Sequence, residues 1–299
     1  MQLLYIFATA LSLFFKERKC MKKILLSVLT AFVAVVLAAC GGNSDSKTLN
    51  SLDKIKQNGV IRIGVFGDKP PFGYVDEKGN NQGYDIALAK RIAKELFGDE
   101  NKVQFVLVEA ANRVEFLKSN KVDIILANFT QTPQRAEQVD FCSPYMKVAL
   151  GVAVPKDSNI TSVEDLKDKT LLLNKGTTAD AYFTQNYPNI KTLKYDQNTE
   201  TFAALMDKRG DALSHDNTLL FAWVKDHPDF KMGIKELGNK DVIAPAVKKG
   251  DKELKEFIDN LIIKLGQEQF FHKAYDETLK AHFGDDVKAD DVVIEGGKI

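Results

Sequence analysis

A polar segment, residues 128–145, carries side chains with clear binding chemistry. Asn128 and Thr130 directly follow the apolar run 122–127. This run is too short and too β-branched for a helix, so it predicts a buried strand. Ligands of open α/β sheets lie at the carboxyl ends of strands. The two polar residues are therefore placed to offer hydrogen bonds to a ligand.

Arg135 follows a little further along the same segment. The Thr132-Pro133 step before it predicts the start of a helical turn, with the threonine as N-cap and the proline at the first helical position. A guanidinium beside the free N–H groups of a helix start suits a carboxylate, because its paired charged bonds match that geometry. The alternative is a surface arginine that pairs with Glu137 or Asp140.

Composition and charge narrow the class of protein. The chain has 299 residues, of which 44% are hydrophobic, and this ordinary composition suggests one large or two medium domains. The 41 basic and 41 acidic residues cancel. We therefore expect neither a nucleic-acid partner nor a basic surface for membranes.

The amino-terminal region predicts a signal peptide at residues 21–39. Met21-Lys22-Lys23 is a basic start, residues 24–38 are apolar, and Leu37-Ala38-Ala39-Cys40 ends the segment. A membrane anchor is the alternative, but a span needs about 20 apolar residues. The pattern resembles a bacterial lipoprotein signal, which implies cleavage before Cys40 and lipidation of its sulfur.

The regions that flank this signal have simple interpretations. Residues 1–20 precede a complete signal, so we expect them to come from an upstream start, with Met21 as the true one. Residues 40–49 are polar and turn-rich, which predicts a flexible tether. In the mature chain Cys142 is then the sole cysteine besides lipidated Cys40, so we expect no disulfide, no metal site and no cofactor. Cys142 is expected in the core or a pocket wall.

Alternating strand and helix signals predict an α/β fold built from two similar halves. The predicted strands lie at residues 61–65, 103–108, 122–127, 148–154, 170–173, 211–216 and 241–247. Helices are predicted at 86–97, 179–187 and 201–208, and a long amphipathic helix carries apolar positions from Leu254 to Leu265. This last helix is expected to return to the first half.

The order of the motifs resembles one family, the solute-binding proteins of polar amino-acid ABC importers. The motifs are Pro71-Phe72-Gly73-Tyr74, Gly83-Tyr84-Asp85-Ile86, Lys121-Val122-Asp123, Asn128-Phe129-Thr130, Thr132-Pro133-Gln134-Arg135, Ser143-Pro144-Tyr145, Gly176-Thr177-Thr178 and residues 244–249. The resemblance covers roughly residues 50–285. Within the family, the chain is similar to cysteine-binding lipoproteins.

The resemblance implies a fold, the two-lobed type II periplasmic binding fold, or Venus flytrap. Two crossing hinge strands are expected near 146–149 and 241–245. Residues 50–147 and 244–299 would form lobe 1, and residues 148–243 would form lobe 2.

The resemblance also implies an amino-acid site between the lobes. Arg135 would hold the α-carboxylate, with Thr130 and the main chain of Gly176, Thr177 and Thr178. Asp216 and the Asn128 carbonyl would hold the ammonium. A zwitterion needs one such fixed cation and one fixed anion.

The pocket for the ligand side chain is less defined. Phe66, Phe72 and Tyr84 can form an aromatic wall, which suits a sulfur atom, or can belong to the core. Arg113 can contact the ligand side chain or stabilise the closed form. Cysteine is the implied ligand, with glutamate, cystine or another polar amino acid as alternatives.

The resemblance implies a monomer, anchored by lipid to a bacterial membrane in the periplasm or at the surface, that serves an ABC permease. Two other classes are an enzyme on the same fold, such as a dehydratase, and a surface adhesin. An enzyme needs a positioned acid or base. His215 lies nearest the cleft in sequence, but strand alternation predicts that it points away from the face of Asp216. We therefore expect no catalysis.

Overall fold

Two five-stranded β-sheets organise the chain in the computed structural model, which describes residues 49–283 and 287–298. The strands are β1 (Ile61–Val65), β2 (Asp68–Lys69), β3 (Gly73–Val75), β4 (Asn81–Gln82), β5 (Val103–Leu107), β6 (Ile124–Ile125), β7 (Val139–Phe141), β8 (Met146–Pro155), β9 (Thr170–Asn174), β10 (Lys191–Tyr195), β11 (Ala212–Asp216), β12 (Phe230–Ile243) and β13 (Ala246–Lys248). The predicted signal peptide, Cys40 and almost all of the tether lie outside the described residues.

Helices cover both sheets. The α-helices are α1 (Ser51–Asn58), α2 (Tyr84–Phe97), α3 (Arg113–Lys118), α4 (Pro133–Ala136), α5 (Thr178–Asn186), α6 (Asn198–Met206), α7 (Asn217–Asp226), α8 (Lys252–Gln267), α9 (Phe270–Thr278), α10 (Lys280–Phe283) and α11 (Ala289–Val292). Short 3-10 turns lie at Ala110–Asn112 and Glu164–Leu166. Within the described ranges, none of the helices has the length and apolar character that a membrane crossing requires.

The two sheets have related topologies. The first has the order β5-β1-β6-β13-β7, in which β5, β1 and β6 are parallel and β13 is antiparallel to both of its neighbours. The second has the order β10-β9-β11-β8-β12, with β10, β9 and β11 parallel. A small antiparallel sheet joins β2, β3 and β4. Because parallel strands end at the same edge, the polar residues after β6, β9 and β11 collect at sheet edges.

The chain crosses between the sheets twice, from β7 into β8 and from β12 back into β13. β8 and β12 pair antiparallel at this crossing, with Met146 opposite Ile243 and Val148 opposite Asp241. These segments are the two crossing strands expected from the sequence, and the two-lobed α/β fold is confirmed. The residue limits given above for the lobes stay a prediction.

Several elements differ from the sequence prediction. The strand predicted over 122–127 shortens to Ile124–Ile125, and the strand predicted over 241–247 divides at Pro245, which has no N–H for a ladder. β12 starts well before this point, at Phe230. The predictions missed helices α1 and α7, strands β7 and β10, and the small sheet; none of these elements is longer than ten residues, which is short for a clear apolar period.

The carboxy-terminal helices pack mainly on the first sheet. Helix α8 buries the predicted apolar stripe: Leu254, Ile258, Leu261, Ile262 and Leu265. It packs against α1 and β13, and α9 packs against α2. The expectation that the last helical region returns to the first half is confirmed. The short helix α10 reaches further, to α7 beside the second sheet.

A buried carboxylate ties the first sheet to the crossing strands. Asp85, in the first turn of α2, is fully buried. It accepts hydrogen bonds from the Asn128 backbone N–H at 2.7 Å and from the Tyr145 hydroxyl at 2.6 Å. Burial raises the pKa of Asp85 to about 7, although these two hydrogen bonds lower it. The carboxylate thereby holds Asn128, whose φ of 43° is left-handed, at the end of β6.

We predict that Asp85→Asn changes the pH dependence of stability. Because the pKa of Asp85 in the folded protein lies above its ordinary value, its contribution to the free energy of unfolding is full below about pH 4 and is lost as the pH rises through 7. The variant has no such loss. The free energy of unfolding of the variant minus that of wild type should therefore rise by up to ~4 kcal/mol between pH 4 and 8.

Urea denaturation across this pH range measures the difference. Asparagine can accept only one of the two hydrogen bonds that the Asp85 carboxylate accepts, and this loss gives an offset that does not depend on pH. The control is Asp229→Asn, which removes a solvent-exposed carboxylate at a turn. A constant difference for Asp85→Asn would contradict the assigned titration.

Candidate functional site

Most of the predicted site residues converge on one cavity, at the strand ends where the two sheets face each other. The lining residues are Phe66, Lys69, Arg113, Asn128, Thr130, Arg135, Thr177, Thr178, His215 and Asp216. They come from the ends of β1, β6 and β11, from β2, and from the starts of α3, α4 and α5. Sequence reasoning selected all of them as ligand-binding except Lys69 and His215.

The helical turn that positions Arg135 forms as its sequence predicts. The Thr132 hydroxyl accepts the Arg135 N–H at 3.3 Å, and Pro133 occupies the first turn. A second cap follows the same logic, because the Thr177 hydroxyl accepts the Asp180 N–H at 3.2 Å at the start of α5. Arg135 in α4 and Thr177 and Thr178 at the start of α5 line the cavity.

The guanidinium of Arg135 joins the two sheets. It donates to the Thr130 carbonyl at 2.8 Å and to the Gly176 carbonyl at 2.9 Å, and it lies 4.8 Å from the Phe129 ring centroid. Burial lowers the pKa of Arg135 to about 10, against the attraction of nearby acids, foremost Asp216. The group stays cationic at neutral pH.

The surface salt bridge considered for Arg135 does not form. Asp140 pairs with Lys249 at 2.8 Å instead. In the part of the chain that the structure describes, no carboxylate lies within ion-pair distance of Arg135. The alternative of a surface arginine paired with Glu137 or Asp140 is therefore wrong.

Arg113 is buried in the cavity wall, where backbone carbonyls accept its N–H groups. It donates to Ala110 at 2.9 Å, to Ala127 at 3.1 Å and, across the cavity, to Gly176 at 3.2 Å. The Asn128 carbonyl, which the resemblance assigned to the ligand ammonium, lies 3.4 Å from this guanidinium. Burial lowers the pKa of Arg113 well below its ordinary value. These bonds favour the role of holding the closed arrangement.

Gly176 allows the two sheets to approach closely. Its φ is +73°, and a Cβ at this position would lie 2.5 Å from the Cα of Ala111. Any side chain would therefore push the two loops apart. The resemblance implied that the main chain of Gly176 holds the ligand carboxylate. Instead, the Gly176 N–H donates to the Asp180 side chain at 3.0 Å, and the Gly176 carbonyl accepts the Arg135 guanidinium.

Asp216 supplies the anion of the cavity and is also buried. Its carboxylate accepts the Lys69 ammonium at 2.7 Å, and the Thr178 hydroxyl lies 3.4 Å from its other oxygen. Burial alone would raise the pKa of Asp216, but Lys69 and then His215 outweigh burial and hold that pKa well below its ordinary value. The carboxylate is thus ionised at neutral pH.

Lys69 is one of the two lining residues that the sequence did not predict, and it makes strong contacts. Its side chain is 2% exposed, and its ammonium donates to Asn128 Oδ1 and Asp216 Oδ2, both at 2.7 Å. The ring centroid of Phe66 lies 5.4 Å from the ammonium. The Gly-Asp-Lys-Pro-Pro segment signals a turn, and lysines in turns are usually exposed. The one sequence signal near Lys69 is the pair of prolines that follows it, Pro70 and Pro71, which fixes the local backbone.

His215 lines the same cavity as Asp216, so the expectation from strand alternation is wrong. Asp216 is both the last residue of β11 and the N-cap of α7, and the chain turns there. The His215 Nδ1 accepts the Asp216 N–H at 2.7 Å. Its Nε2 is buried and has no partner among the described residues.

Phe66 lines the cavity, but the other two expected wall residues do not. Phe72 is fully buried and packs on Phe283 with ring centroids 6.5 Å apart. Tyr84 packs on Tyr145 and donates its hydroxyl to the Phe271 carbonyl at 3.3 Å. The partners of both rings, Phe283 and Phe271, lie in the carboxy-terminal helices. Phe72 and Tyr84 therefore belong to the core.

Cys142 is a core residue as well. It is free and buried, and burial raises the pKa of its thiol. Across the described residues, no group of three His, Cys, Asp or Glu side chains converges as metal ligands would.

Several known proteins are similar to this chain over most of its length. A structure described as a solute receptor for L-cysteine of Neisseria gonorrhoeae is 57% identical, with a TM-score of 0.81, over 82% of this chain and 99% of that one. The glutamine-binding protein of a Bacillus subtilis ABC transporter is 32% identical over 87% of this chain and 98% of its own. An ancestral amino acid-binding protein, a precursor of cyclohexadienyl dehydratase, is 30% identical over 77% of this chain and 100% of that one, with a TM-score of 0.72.

A family model matches residues 61–281, which span both sheets and every residue that lines the cavity. The model describes bacterial extracellular solute-binding proteins, family 3. The chain belongs to family 3 of the bacterial extracellular solute-binding proteins.

Proposed function

We propose that the protein captures L-cysteine between its two lobes and delivers it to an ABC permease. The observation that carries this proposal is the cavity itself, in which a fixed cation, Arg135, and a fixed anion, Asp216, come from facing sheets. This pair of charges suits the carboxylate and ammonium of an α-amino acid. The 57% identity to a receptor for L-cysteine supports cysteine as the amino acid.

In the proposed complex, Arg135 binds the α-carboxylate, with Thr130 and the helix start at Thr178 beside it. Asp216 binds the α-ammonium through the oxygen that the Lys69 ammonium leaves free. A hydrogen bond to a charged group contributes roughly 1.5–3 kcal/mol, and micromolar affinity needs about 8 kcal/mol. A few such contacts are therefore sufficient. Glutamate and cystine are the alternatives that share the same α-amino-acid contacts.

Ligand entry requires the lobes to separate, because the cavity walls are bonded to each other. Arg113 and Arg135 both donate to the Gly176 carbonyl across the cavity. Away from the cavity, Asp68 accepts the Asn198 N–H at 2.7 Å and its side-chain amide at 2.9 Å, and so caps helix α6 from the first half. We propose that the closed form, joined by these contacts, is the one that the permease recognises.

We further propose that the protein binds its ligand without chemical change. An enzyme would need an acid or base held near the bond that breaks. Asp216 is engaged by Lys69, and His215 accepts a backbone N–H, so neither is poised as a free base. The likeness to an ancestral precursor of a dehydratase keeps the enzyme as the alternative. Mass spectrometry of ligand recovered from the protein should show unchanged cysteine.

The location of the protein also belongs to the proposal. The family is extracellular in its description. We propose that the mature protein is a monomer held at the bacterial membrane by lipid on Cys40, and that it faces the periplasm or the surface. The signal pattern at residues 21–40 supports this anchor.

We predict that cysteine stabilises the protein and that Arg135 is required for this effect. A protein from residue 48 onward, unfolded and refolded to remove ligand, should gain roughly 2.7 kcal/mol at about 100 times Kd. The melting temperature should rise by several degrees with cysteine. Arg135→Ala should abolish the rise but should keep a cooperative melt, because the carboxylate loses its cation.

The matched control is Arg209→Ala, which removes an exposed arginine of the second half and should keep the cysteine response. Glutamate, glutamine, arginine and cystine are screened in parallel. A rise in melting temperature with another amino acid would keep the protein an amino-acid-binding protein but would change its assigned ligand. No rise with any amino acid would contradict the proposed function and favour the enzyme or adhesin interpretations.

We predict that Asp68→Ala weakens binding through closure. The cap on α6 exists only when the halves meet, and a lost cap costs about 1 kcal/mol. The Kd for cysteine should rise about fivefold, mostly through faster dissociation. Calorimetry and stopped-flow fluorescence measure the two effects. Asp99→Ala, which removes bonds within one turn, is the control. Equal Kd values for all three proteins would contradict the role of Asp68.

We predict that Cys40→Ala releases the protein from the membrane fraction. The thioether to diacylglycerol cannot form without the sulfur, so labelled palmitate should no longer enter the protein. Cys142→Ala, at a buried cysteine, should keep the label. Cell fractionation and labelling test both variants. A Cys40→Ala protein that stays labelled in the membrane fraction would show that the anchor is elsewhere.

A further inference from the structure

The ion pair between Lys69 and Asp216 places a positive charge inside the cavity. Burial lowers the pKa of Lys69, and the Asp216 carboxylate opposes this shift. The side chains of both residues are at most 5% exposed, so water does not screen the pair. The ammonium donates to two acceptors, Asn128 Oδ1 and Asp216 Oδ2. It therefore cannot turn away without leaving a buried carboxylate unpaired, which is costly.

Positive charge exceeds negative charge around the cavity. Three lining side chains, Lys69, Arg113 and Arg135, are cationic, whereas Asp216 is the single acidic lining residue that the structure describes. Two further carboxylates act from outside the lining. Asp85 lies behind Asn128, and burial raises its pKa to about 7; Asp241 lies at the hinge, and burial raises its pKa too.

The cavity also holds a hydrogen-bond donor on His215. The His215 Nδ1 accepts the Asp216 N–H, so the neutral ring carries its proton on Nε2. Burial lowers the pKa of His215, which favours this neutral ring. The Nε2 donor is buried and lacks an acceptor among the described residues. A ligand atom that accepts hydrogen bonds would satisfy it.

We propose that Lys69 is a specificity-determining residue that selects the charge of the ligand side chain: neutral or anionic side chains enter, and cationic ones are rejected. The inference rests on the proposed amino-acid function. The α-ammonium of every amino acid finds Asp216. A second cation on the ligand then meets Lys69 and Arg113, and among the described lining residues no carboxylate is left to pair with it.

Charge and hydrogen bonding act in the same direction. Two unit charges repel strongly at short range where water is excluded. Ammonium and guanidinium groups are donors without an acceptor, so they leave the His215 Nε2 donor unsatisfied as well. A thiol or hydroxyl can accept that hydrogen bond. The polar residues around Lys69 thus favour a ligand such as cysteine over one with a basic side chain.

The test compares L-cysteine with L-2,4-diaminobutyrate, a short amino acid with a cationic side chain, by calorimetry at neutral pH. Wild-type protein should bind diaminobutyrate at least about 100-fold more weakly than cysteine. Lys69→Gln keeps a hydrogen-bond donor but removes the charge, and it should reduce this ratio at least about tenfold. Lys69→Arg restores the charge and should restore the ratio. Lys175→Gln, at an exposed lysine beside Gly176, is the control and should leave it unchanged.

Each other outcome has a defined meaning. Cysteine binding with a ratio that Lys69→Gln leaves unchanged would overturn the role of Lys69 and would leave the proposed function intact. Wild-type binding of both ligands within tenfold of each other would also overturn it. Loss of cysteine binding in a folded Lys69→Gln protein would make Lys69 a general contact, which contradicts the proposal. If Lys69→Gln does not fold, Lys69→Met, which also removes the charge and keeps a similar length, takes its place. Failure of wild type to bind either amino acid would reject the proposed function and this inference together.

Discussion

Burial of charge where the two sheets face each other is the constraint on which the rest of the structure depends. Lys69, Arg113 and Asp216 are each less than 5% exposed. An ion taken out of water costs several kcal/mol unless a partner compensates for its lost hydration. Lys69 and Asp216 compensate each other, whereas backbone carbonyls surround Arg113. Since these partners come from both sheets, the charges are satisfied only when the sheets meet in this arrangement.

The backbone around the cavity follows from the same constraint. Two guanidinium groups converge on the Gly176 carbonyl, which requires the loop after β9 to touch the turn at Ala111. A residue larger than glycine would hold this carbonyl out of reach. Helix α5 begins directly after the loop, so its capped start is fixed beside the same cavity. Beyond this contact, the chain passes between the two sheets through a narrow connection, from β7 into β8 and from β12 into β13.

That narrow connection is the antiparallel crossing of β8 and β12, and it is coupled to the site through the core. Asp85 bonds both to Asn128 at the cavity and to Tyr145 just before β8. The side chain of Asn128 in turn accepts the Lys69 ammonium. A continuous chain of hydrogen bonds thus runs from the start of the hinge to the ion pair.

The sequence by itself determined the α/β class, the capped turn before Arg135 and the amphipathic stripe of α8, because these features rest on local periodicity and capping chemistry. Motif order added the two lobes and most of the residues that line the cavity. The tertiary structure decided what depends on distant partners. Lys69 and Asp216 are 147 residues apart, and no local pattern pairs them. Phe72 and Tyr84 show the converse: an aromatic residue beside a binding motif suits a pocket wall or a core equally well, and only the packing of the carboxy-terminal helices placed both in the core.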